Sequence, residues 1–260
     1  MRFSVLGSGS SGNASYVETR EARILVDAGL SCKEIEKRLG LLGIGAGEID
    51  AIVVTHEHID HVRGVGVFAR RYGIPVLMNK ATFARCRNVV GKIPIPLFFN
   101  TGDILTFKDM NLHFITKCHD AADPVALTMT SDGCKLGVVT DLGRVTSLIL
   151  DSVQGCRGLI LEFNHDLEML DRGPYPFELK RRIRGPDGHL SNHDAARLLG
   201  EAIGNELSVL VLAHLSEVNN TEKLALEEAI RAIEGKGNNV DTVIVSTQHY
   251  AMPVVSMDAG

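Results

Sequence analysis

The sequence predicts a layered α/β fold in which two β-sheets lie face to face between outer layers of helices, a four-layer αββα sandwich. Apolar strand patterns alternate with amphipathic helical patterns in both halves of the chain, and five strand patterns follow one another in its middle. The 260 residues are 45% hydrophobic, which is ample for a large core. We therefore expect a single domain over residues 1–260, with each half of the chain contributing one sheet.

The N-terminal half begins with a strand over residues 2–6. The Gly- and Ser-rich turn 7–13 follows, and it lacks the lysine and the following helix of a phosphate loop. Ser31 and Glu34 predict a capping box that opens a helix over 31–42, and Gly43 ends it. The other predicted elements of this half are strands at 15–19, 22–27, 51–55 and 74–78 and helices at 62–72 and 79–91.

The C-terminal half begins with crowded strands and then alternates again. A Pro- and Gly-rich segment near 170–188 surrounds a basic run and predicts a protruding helix-and-loop insert. The predicted strands lie at 97–99, 104–107, 111–116, 125–131, 135–140, 158–163, 207–213 and 242–246. The predicted helices lie at 146–153, 194–203 and 221–234.

Residues 55–61, Thr-His-Glu-His-Ile-Asp-His, place three imidazoles and two carboxylates directly after an apolar strand. His56 and His58 can face one cation if the backbone leaves the strand as a loop, whereas Asp60 and His61 would face a neighbouring position. Two metal ions therefore fit better than one. Imidazole suits zinc, iron or nickel, and a carboxylate also admits manganese. The alternative is a solvated His-rich turn.

The pattern His-x-His-x-Asp-His at 56–61 resembles the signature of the metallo-β-lactamase-fold hydrolases, and the family's other polar residues have matches in the same order. The resemblance implies two divalent ions, zinc or manganese, with iron as an alternative. The implied ligands of the first ion are His56, His58 and His119. Those of the second are Asp60, His61 and His214, with Asp141 bridging both ions.

Single members of this set have structural explanations. His119, Asp141 and His214 could each be a loop, turn or helix-side residue, but all three follow predicted strands, where sites are built in open α/β sheets. Asp27, which also ends a strand, is expected to accept a hydrogen bond from a ligand imidazole. A plain turn aspartate is the alternative for Asp27.

Residues 118–124, 162–166, 173–176, 188–192 and 213–216 are similar to the YycJ (WalJ) group of this superfamily. That resemblance implies a DNA exonuclease of the kind that serves DNA repair, without the extra β-CASP domain of related nucleases. We assign catalytic roles to Asp60, to His189, which resembles a proton-transferring histidine of the tRNase Z branch, and to His165. A loop residue is the alternative for His165.

Five further residues are expected to meet the substrate. The basic run of the insert lies between His165 and His189, so it can approach an anionic substrate at the mouth of the site, although a solvated helix face is the alternative. Asn13 is expected at the rim of the metal site. The basic residues are Lys180, Arg181, Arg182 and Arg184.

Composition restricts the function further. The net charge of −5 argues against broad nonspecific binding to nucleic acid. The five cysteines form no Cys-x-x-Cys pair, which favours free thiols. The N-terminus lacks signal-peptide features and no apolar run reaches the roughly 20 residues of a membrane span, so we expect a cytoplasmic protein without membrane contact. Oligomeric state is not predicted.

Two other functions share this ligand set. A small-molecule hydrolase could act on a cyclic phosphodiester, thioester or lactam with the same metals, because a fold does not settle function. A binding or regulatory module could keep the fold without catalysis, but the complete ligand set argues against it. The leading hypothesis is phosphodiester hydrolysis in DNA by a hydroxide shared between two metal ions.

Overall fold

The computed structural model describes residues 1–204, 206–237 and 239–257. Within these residues the strands form two seven-stranded sheets. The first sheet contains β1 (Arg2–Gly7), β2 (Ala14–Glu18), β3 (Arg23–Val26), β4 (Ala51–Val53), β5 (Pro75–Asn79), β6 (Ile95–Phe99) and β14 (Val255–Ser256). The second contains β7 (Ile104–Phe107), β8 (Met110–Thr116), β9 (Val125–Ser131), β10 (Cys134–Val139), β11 (Gly158–Glu162), β12 (Val209–Ala213) and β13 (Thr242–Val245).

Helices cover the outer face of each sheet. On the first sheet they are α1 (Cys32–Leu41), α2 (Ile59–Val62), α3 (Val65–Tyr72) and α4 (Lys80–Val90), with a 3₁₀ turn at Ala46–Glu48. On the second they are α5 (Ser147–Val153), α8 (Asn192–Ala202) and α9 (Glu222–Glu234), and α6 (Leu167–Arg172) and α7 (Phe177–Arg184) lie in or next to the segment 170–188. None of the described helices is long and apolar enough to cross a membrane.

Three apolar clusters hold the layers together. One lies between the sheets and includes Phe3, Leu112 and Val211, all essentially inaccessible to solvent. The second packs the first sheet against its helices, and the third packs the second sheet against α5, α8 and α9. Burial of apolar surface on both faces of both sheets stabilises four layers. The predicted αββα sandwich is confirmed.

Parallel strands bring one edge of each sheet to the same place. Strands β3 to β6 run parallel in the first sheet, and β10 to β13 run parallel in the second. In sheets of this type the polar sites lie beyond the carboxyl ends of the strands. The residues that follow β3, β4, β10, β11 and β12 therefore meet at a common edge.

The structure corrects several predicted boundaries. The helix predicted at 62–72 is interrupted at Gly64, because its backbone N–H donates to the Ala28 carbonyl oxygen at 2.7 Å and not to a carbonyl one turn earlier, and α2 begins earlier than predicted, at Ile59. The carboxylate of Glu34 bonds to Arg38 Nε at 2.8 Å, so only the Ser31 half of the predicted capping box forms. Strand β14 was not predicted, and it pairs with β1.

Candidate metal centre

Three residues predicted for the site have an unusual backbone. Asp27, Asp141 and His214 follow β3, β10 and β12 and have φ of 60°, 55° and 57°. Positive φ is uncommon outside glycine, and strain of this kind concentrates at functional sites. Of the other described non-glycine residues with positive φ, Lys108 and Asp132 lie in hairpin turns. The left-handed conformation at three strand ends is therefore a feature of this edge of the fold.

Asp27 fixes the orientation of His61. The Asp27 carboxylate accepts hydrogen bonds from the Thr55 backbone N–H at 2.8 Å, the Thr55 hydroxyl at 2.9 Å and His61 Nδ1 at 2.8 Å. An ionised carboxylate only accepts, so His61 carries its proton on Nδ1 in this contact. Nε2 of His61 is left to face Asp141 Oδ2 at 3.3 Å and Asp60 Oδ2 at 3.6 Å.

His56, His58 and His119 form a second group of converging nitrogens. Nδ1 of His56 lies 3.0 Å from the Thr55 hydroxyl, while its Nε2 is buried and has no hydrogen-bond partner among the residues that the structure describes. Nδ1 of His119 lies 3.1 Å from the Gly188 carbonyl oxygen. Its other ring nitrogen, Nε2, faces His58 Nδ1 at 3.3 Å. One nitrogen of each ring lies within 4.8 Å of the others.

Asp141 lies between the two groups of histidines. Its Oδ1 is 3.5 Å from His214 Nε2 and 3.8 Å from His119 Nε2, and its Oδ2 is 3.3 Å from His61 Nε2. Asp60, His61 and His214 also offer atoms within 4.8 Å of one another. The structure thus brings together all seven residues predicted as metal ligands.

Glu162 is a functional residue that sequence reasoning did not assign. It ends β11 and is inaccessible to solvent. Its Oε2 accepts from the backbone N–H groups of Leu142 and Leu190 at 2.9 and 3.1 Å, and its Oε1 contacts Nδ1 of His189 and His214 at 2.8 and 3.0 Å. The sequence indicates this role through a glutamate inside the apolar run of residues 158–163, because a charged residue is rarely buried unless it is paired.

The donors fit divalent cations. Nε2 of His56, Nε2 of His214 and Oδ2 of Asp141 are buried and lack hydrogen-bond partners among the described residues. Buried polar atoms are normally paired, so three converging orphans indicate a missing partner. Neutral imidazole and carboxylate are ligands for divalent transition metals. This edge of the fold is a divalent-metal site.

Burial and neighbouring charges act on the histidines in opposite directions. Burial, with the nearby His61, lowers the pKa of His56 well below its ordinary value, which keeps the ring neutral. Burial also opposes protonation of His61, but the carboxylates of Asp141 and Asp27 raise its pKa to about 10. In the metal-free protein His61 is therefore protonated at neutral pH, where its charge offsets the surrounding carboxylates.

The two predicted proton donors occupy different environments. His189 is about one-quarter exposed, and its ring centroid lies 5.2 Å from those of His119 and His214, at the open side of the site. His165 is 1% exposed, and neither of its ring nitrogens has a hydrogen-bond partner in the described part of the chain. Its backbone forms a bridge with Ser191, and the side chain is enclosed. The expectation that His165 contacts the substrate therefore does not agree with its position.

The residues predicted to bind the substrate lie at different distances from the mouth of the site. Asn13 is buried and bonds through Nδ2 to Asp60 Oδ2 at 3.1 Å, so it supports a ligand instead of standing on the rim. Arg182 reaches the mouth of the metal centre, where its Nε donates to Asp120 Oδ2 at 2.7 Å. Oδ1 of Asp120 lies 3.5 Å from His119 Nε2.

The other three basic residues of the insert pair with groups of α6 and α7. Arg184 and Lys180 bind α6, through an ion pair with Asp171 and a hydrogen bond to the Asp171 carbonyl oxygen. Arg181 is exposed and pairs with Glu178. Of the four basic residues predicted to bind the substrate, Arg182 is the one that lies at the candidate metal centre.

Comparisons with known proteins agree with this geometry. A family model for the metallo-beta-lactamase superfamily matches residues 7–214. The chain is 40% identical over 242 residues to the exodeoxyribonuclease YycJ of Bacillus anthracis, covering 92% of both chains. It is 39% identical over 228 residues to the exodeoxyribonuclease WalJ of Streptococcus pneumoniae, covering 86% of this chain and 85% of that protein.

A solved structure shows the same fold at low sequence identity. The metallo-beta-lactamase-fold protein YhfI of Bacillus subtilis superposes with a TM-score of 0.73, at 17% identity, over 96% of this chain and 98% of that one. A likeness at this identity concerns the fold alone.

Proposed function

This chain belongs to the metallo-beta-lactamase superfamily, and we propose that within it the protein is a metal-dependent exodeoxyribonuclease. The observation that carries the proposal is the cluster of buried, unpartnered ligand atoms at the strand ends. The substrate class is supported by 40% identity to an exodeoxyribonuclease over nearly the whole of both chains.

We propose that two divalent ions bind, zinc or manganese, with iron as an alternative. His56, His58 and His119 would hold one ion, Asp60, His61 and His214 the other, and Asp141 would contact both. When bound, such ions neutralise phosphate charge and activate water for attack at phosphorus.

The residues of the chain prepare the site for this chemistry. Asp27 and Glu162 each hold the Nδ1–H of a ligand histidine, His61 and His214, so that Nε2 faces the site. Glu162 also holds Nδ1 of His189, which leaves the opposite nitrogen of a partly exposed ring to protonate the departing oxygen. Because His189 is reached from the open side of the site, it is a better proton donor than the enclosed His165.

Arg182 is the residue that we propose to hold a backbone phosphate. In the structure its guanidinium is paired with Asp120, and it is 63% exposed. A substrate phosphate can take the place of the Asp120 carboxylate, because both anions offer two oxygens to the planar fork of a guanidinium. Contacts to phosphate carry no sequence information, so DNA would be degraded without sequence preference.

The proposal is tested with end-labelled DNA and a generic phosphodiester. Protein stripped by a chelator should be inactive, and manganese or zinc should restore release of nucleotides from a DNA end. Asp141→Asn should lose most of this activity and bind less metal, because an amide cannot bridge two cations as a carboxylate does; asparagine keeps a tolerance for positive φ. Hydrolysis of the generic ester with DNA left intact would favour a small-molecule hydrolase, and metal binding without hydrolysis a binding module.

Three broader expectations accompany this proposal. We propose one domain over residues 1–260, since β14 near the C-terminus pairs with β1 near the N-terminus and the insert packs back on the site. A cytoplasmic location would be tested by cell fractionation. A role in DNA repair would appear as sensitivity of a deletion strain to DNA damage.

A further inference from the structure

A second pocket of about 200 Å³ adjoins the metal centre. We call it the side pocket; it shares Arg182 and His189 with the metal centre and is lined elsewhere by Tyr175, Leu179, Ile183 and Asn164. Because the two pockets share walls, a phosphate on the metals would have its neighbouring nucleoside at the side pocket.

The wall made by α7 is firmly attached. The His189 backbone N–H donates to the Ile183 carbonyl oxygen at 2.9 Å, and Lys180 and Arg184 bind α6. A Cβ on Gly188 would lie 2.2 Å from the same carbonyl oxygen, so the loop before His189 packs directly on the end of the helix. Leu179 and Ile183, four residues apart, present one face of α7 to the pocket. The side pocket is therefore formed before any ligand arrives.

The lining combines one aromatic ring, aliphatic side chains and a few polar groups. Tyr175 lies between Pro174 and Pro176, and Pro176 restricts the backbone of Tyr175 to extended conformations. Among the described lining residues, it supplies the one aromatic ring other than imidazole. Asn164 is a polar residue of the lining, and its Nδ2 donates to the His214 carbonyl oxygen at 2.9 Å. Its amide oxygen is left as an acceptor.

We propose that the side pocket binds the base and sugar of the terminal nucleotide of a DNA strand, with the base stacked on Tyr175. This inference rests on the proposed nuclease function. An aromatic ring with aliphatic walls suits every base, because all bases have a π-face and stacking is tolerant of sequence. A pocket of this size beside the metals favours release of one nucleotide at a time from an end.

The test crosses a protein change with a substrate change. The measurement is the rate at which metal-loaded protein degrades DNA that ends either in a normal nucleotide or in an abasic one, placed at each end of the strand in turn. The proteins compared are wild type, Tyr175→Ala and Tyr175→Phe. Alanine should lower kcat/KM on the normal end about 5- to 150-fold, the range expected for losing one stacked base, and phenylalanine should stay near wild type. On the abasic end, alanine and wild type should be equal. Phe177→Ala, an exposed aromatic 73% accessible and outside the pocket, is the matched control and should be unchanged.

Binding gives a readout that does not depend on turnover. Calorimetry with the metal-loaded protein should show tighter binding of deoxyadenosine monophosphate than of deoxyribose 5-phosphate, and Tyr175→Ala should remove the difference. If the variant does not fold, wild type compared on normal and abasic ends still decides. Equal rates on the two ends, or an alanine effect that persists on the abasic end, would overturn the inference while leaving the nuclease proposal intact. No DNA degradation by wild type under any metal would overturn both.

Discussion

Replacing Glu162 with glutamine tests how the metal centre is held. The carboxylate serves four hydrogen-bond donors, two backbone N–H groups on Oε2 and Nδ1 of His189 and His214 on Oε1. Glutamine has one carbonyl oxygen. If that oxygen stays with the backbone donors, the amide N–H₂ faces the two imidazoles, whose Nδ1 must then accept. In the neutral form of His214 that metal binding would require, the single ring proton is then on Nε2, the atom that faces Asp141 and the metal site.

The expected cost follows from this change of tautomer. Loss of the carboxylate partner of a metal-binding histidine typically weakens metal affinity or activity 10- to 100-fold, or about 1.4–2.7 kcal/mol. Although burial opposes ionisation of Glu162, its contacts with His189 and His214 lower its pKa below the ordinary value. A lowered carboxyl pKa stabilises the fold above pH 4.5 and loses that contribution as pH falls. The metal-free variant should therefore be less stable at neutral pH by about 1.5–3 kcal/mol, the scale of a charged hydrogen bond.

The assay is competition for zinc or manganese against a chromophoric chelator, together with thermal unfolding of the metal-free protein. Glu168→Gln is the matched control, because Glu168 is exposed on α6 and pairs with Arg172. The control should keep wild-type affinity. Wild-type affinity and activity in a folded Glu162→Gln variant would refute the proposed role of the carboxylate in fixing the tautomer.

Two further predictions follow from the site. Arg182→Ala should weaken DNA binding and reduce the slope of its salt dependence by about 0.7–0.9, because one phosphate contact is lost. Arg181→Ala is the control and should change neither quantity, since the Arg181 guanidinium pairs with Glu178. Salt plots that superimpose for all three proteins would show that Arg182 holds no phosphate. Burial opposes protonation of His61, but Asp141 and Asp27 raise its pKa to about 10. A metal ion that binds His61 would have to displace this proton, so the affinity for metal should rise from pH 6.5 to 10. Calorimetry in buffers of different ionisation enthalpy should detect the released protons, and an affinity independent of pH would contradict the assignment. The same raised pKa stabilises the metal-free fold below pH 6.5, and that contribution is lost as pH rises through about 10.

Local chemistry was sufficient to predict most elements. Ser31 and Asn79 cap α1 and α4 by accepting from the backbone N–H three residues later, as their sequence patterns indicate. The strand predicted to begin at residue 97 begins two residues earlier, at Ile95. It includes Pro96, which is tolerated because β6 is the edge strand of its sheet. Strand β14 has two residues, too few for any periodicity.

Contacts distant in sequence account for what the patterns did not indicate. The break at Gly64 depends on a hydrogen bond to the carbonyl of Ala28, which no local pattern encodes. The enclosure of His165 depends on a bridge to Ser191 in another segment. Which arginine of the insert reaches the candidate metal centre depends on the position of Asp120, since the charge run itself does not distinguish Arg182 from its neighbours.

The metal centre also joins the two sheets. Each sheet supplies one carboxylate–histidine pair, Asp27 with His61 on the first and Glu162 with His214 on the second. Asp141 of the second sheet lies 3.3 Å from Nε2 of His61 on the first, so the pairs face each other across one carboxylate. A ligand that binds only the folded arrangement stabilises it by mass action. Metal ions held between these pairs would therefore link the sheets as well as serve the reaction, and a loss at either carboxylate should weaken both effects together.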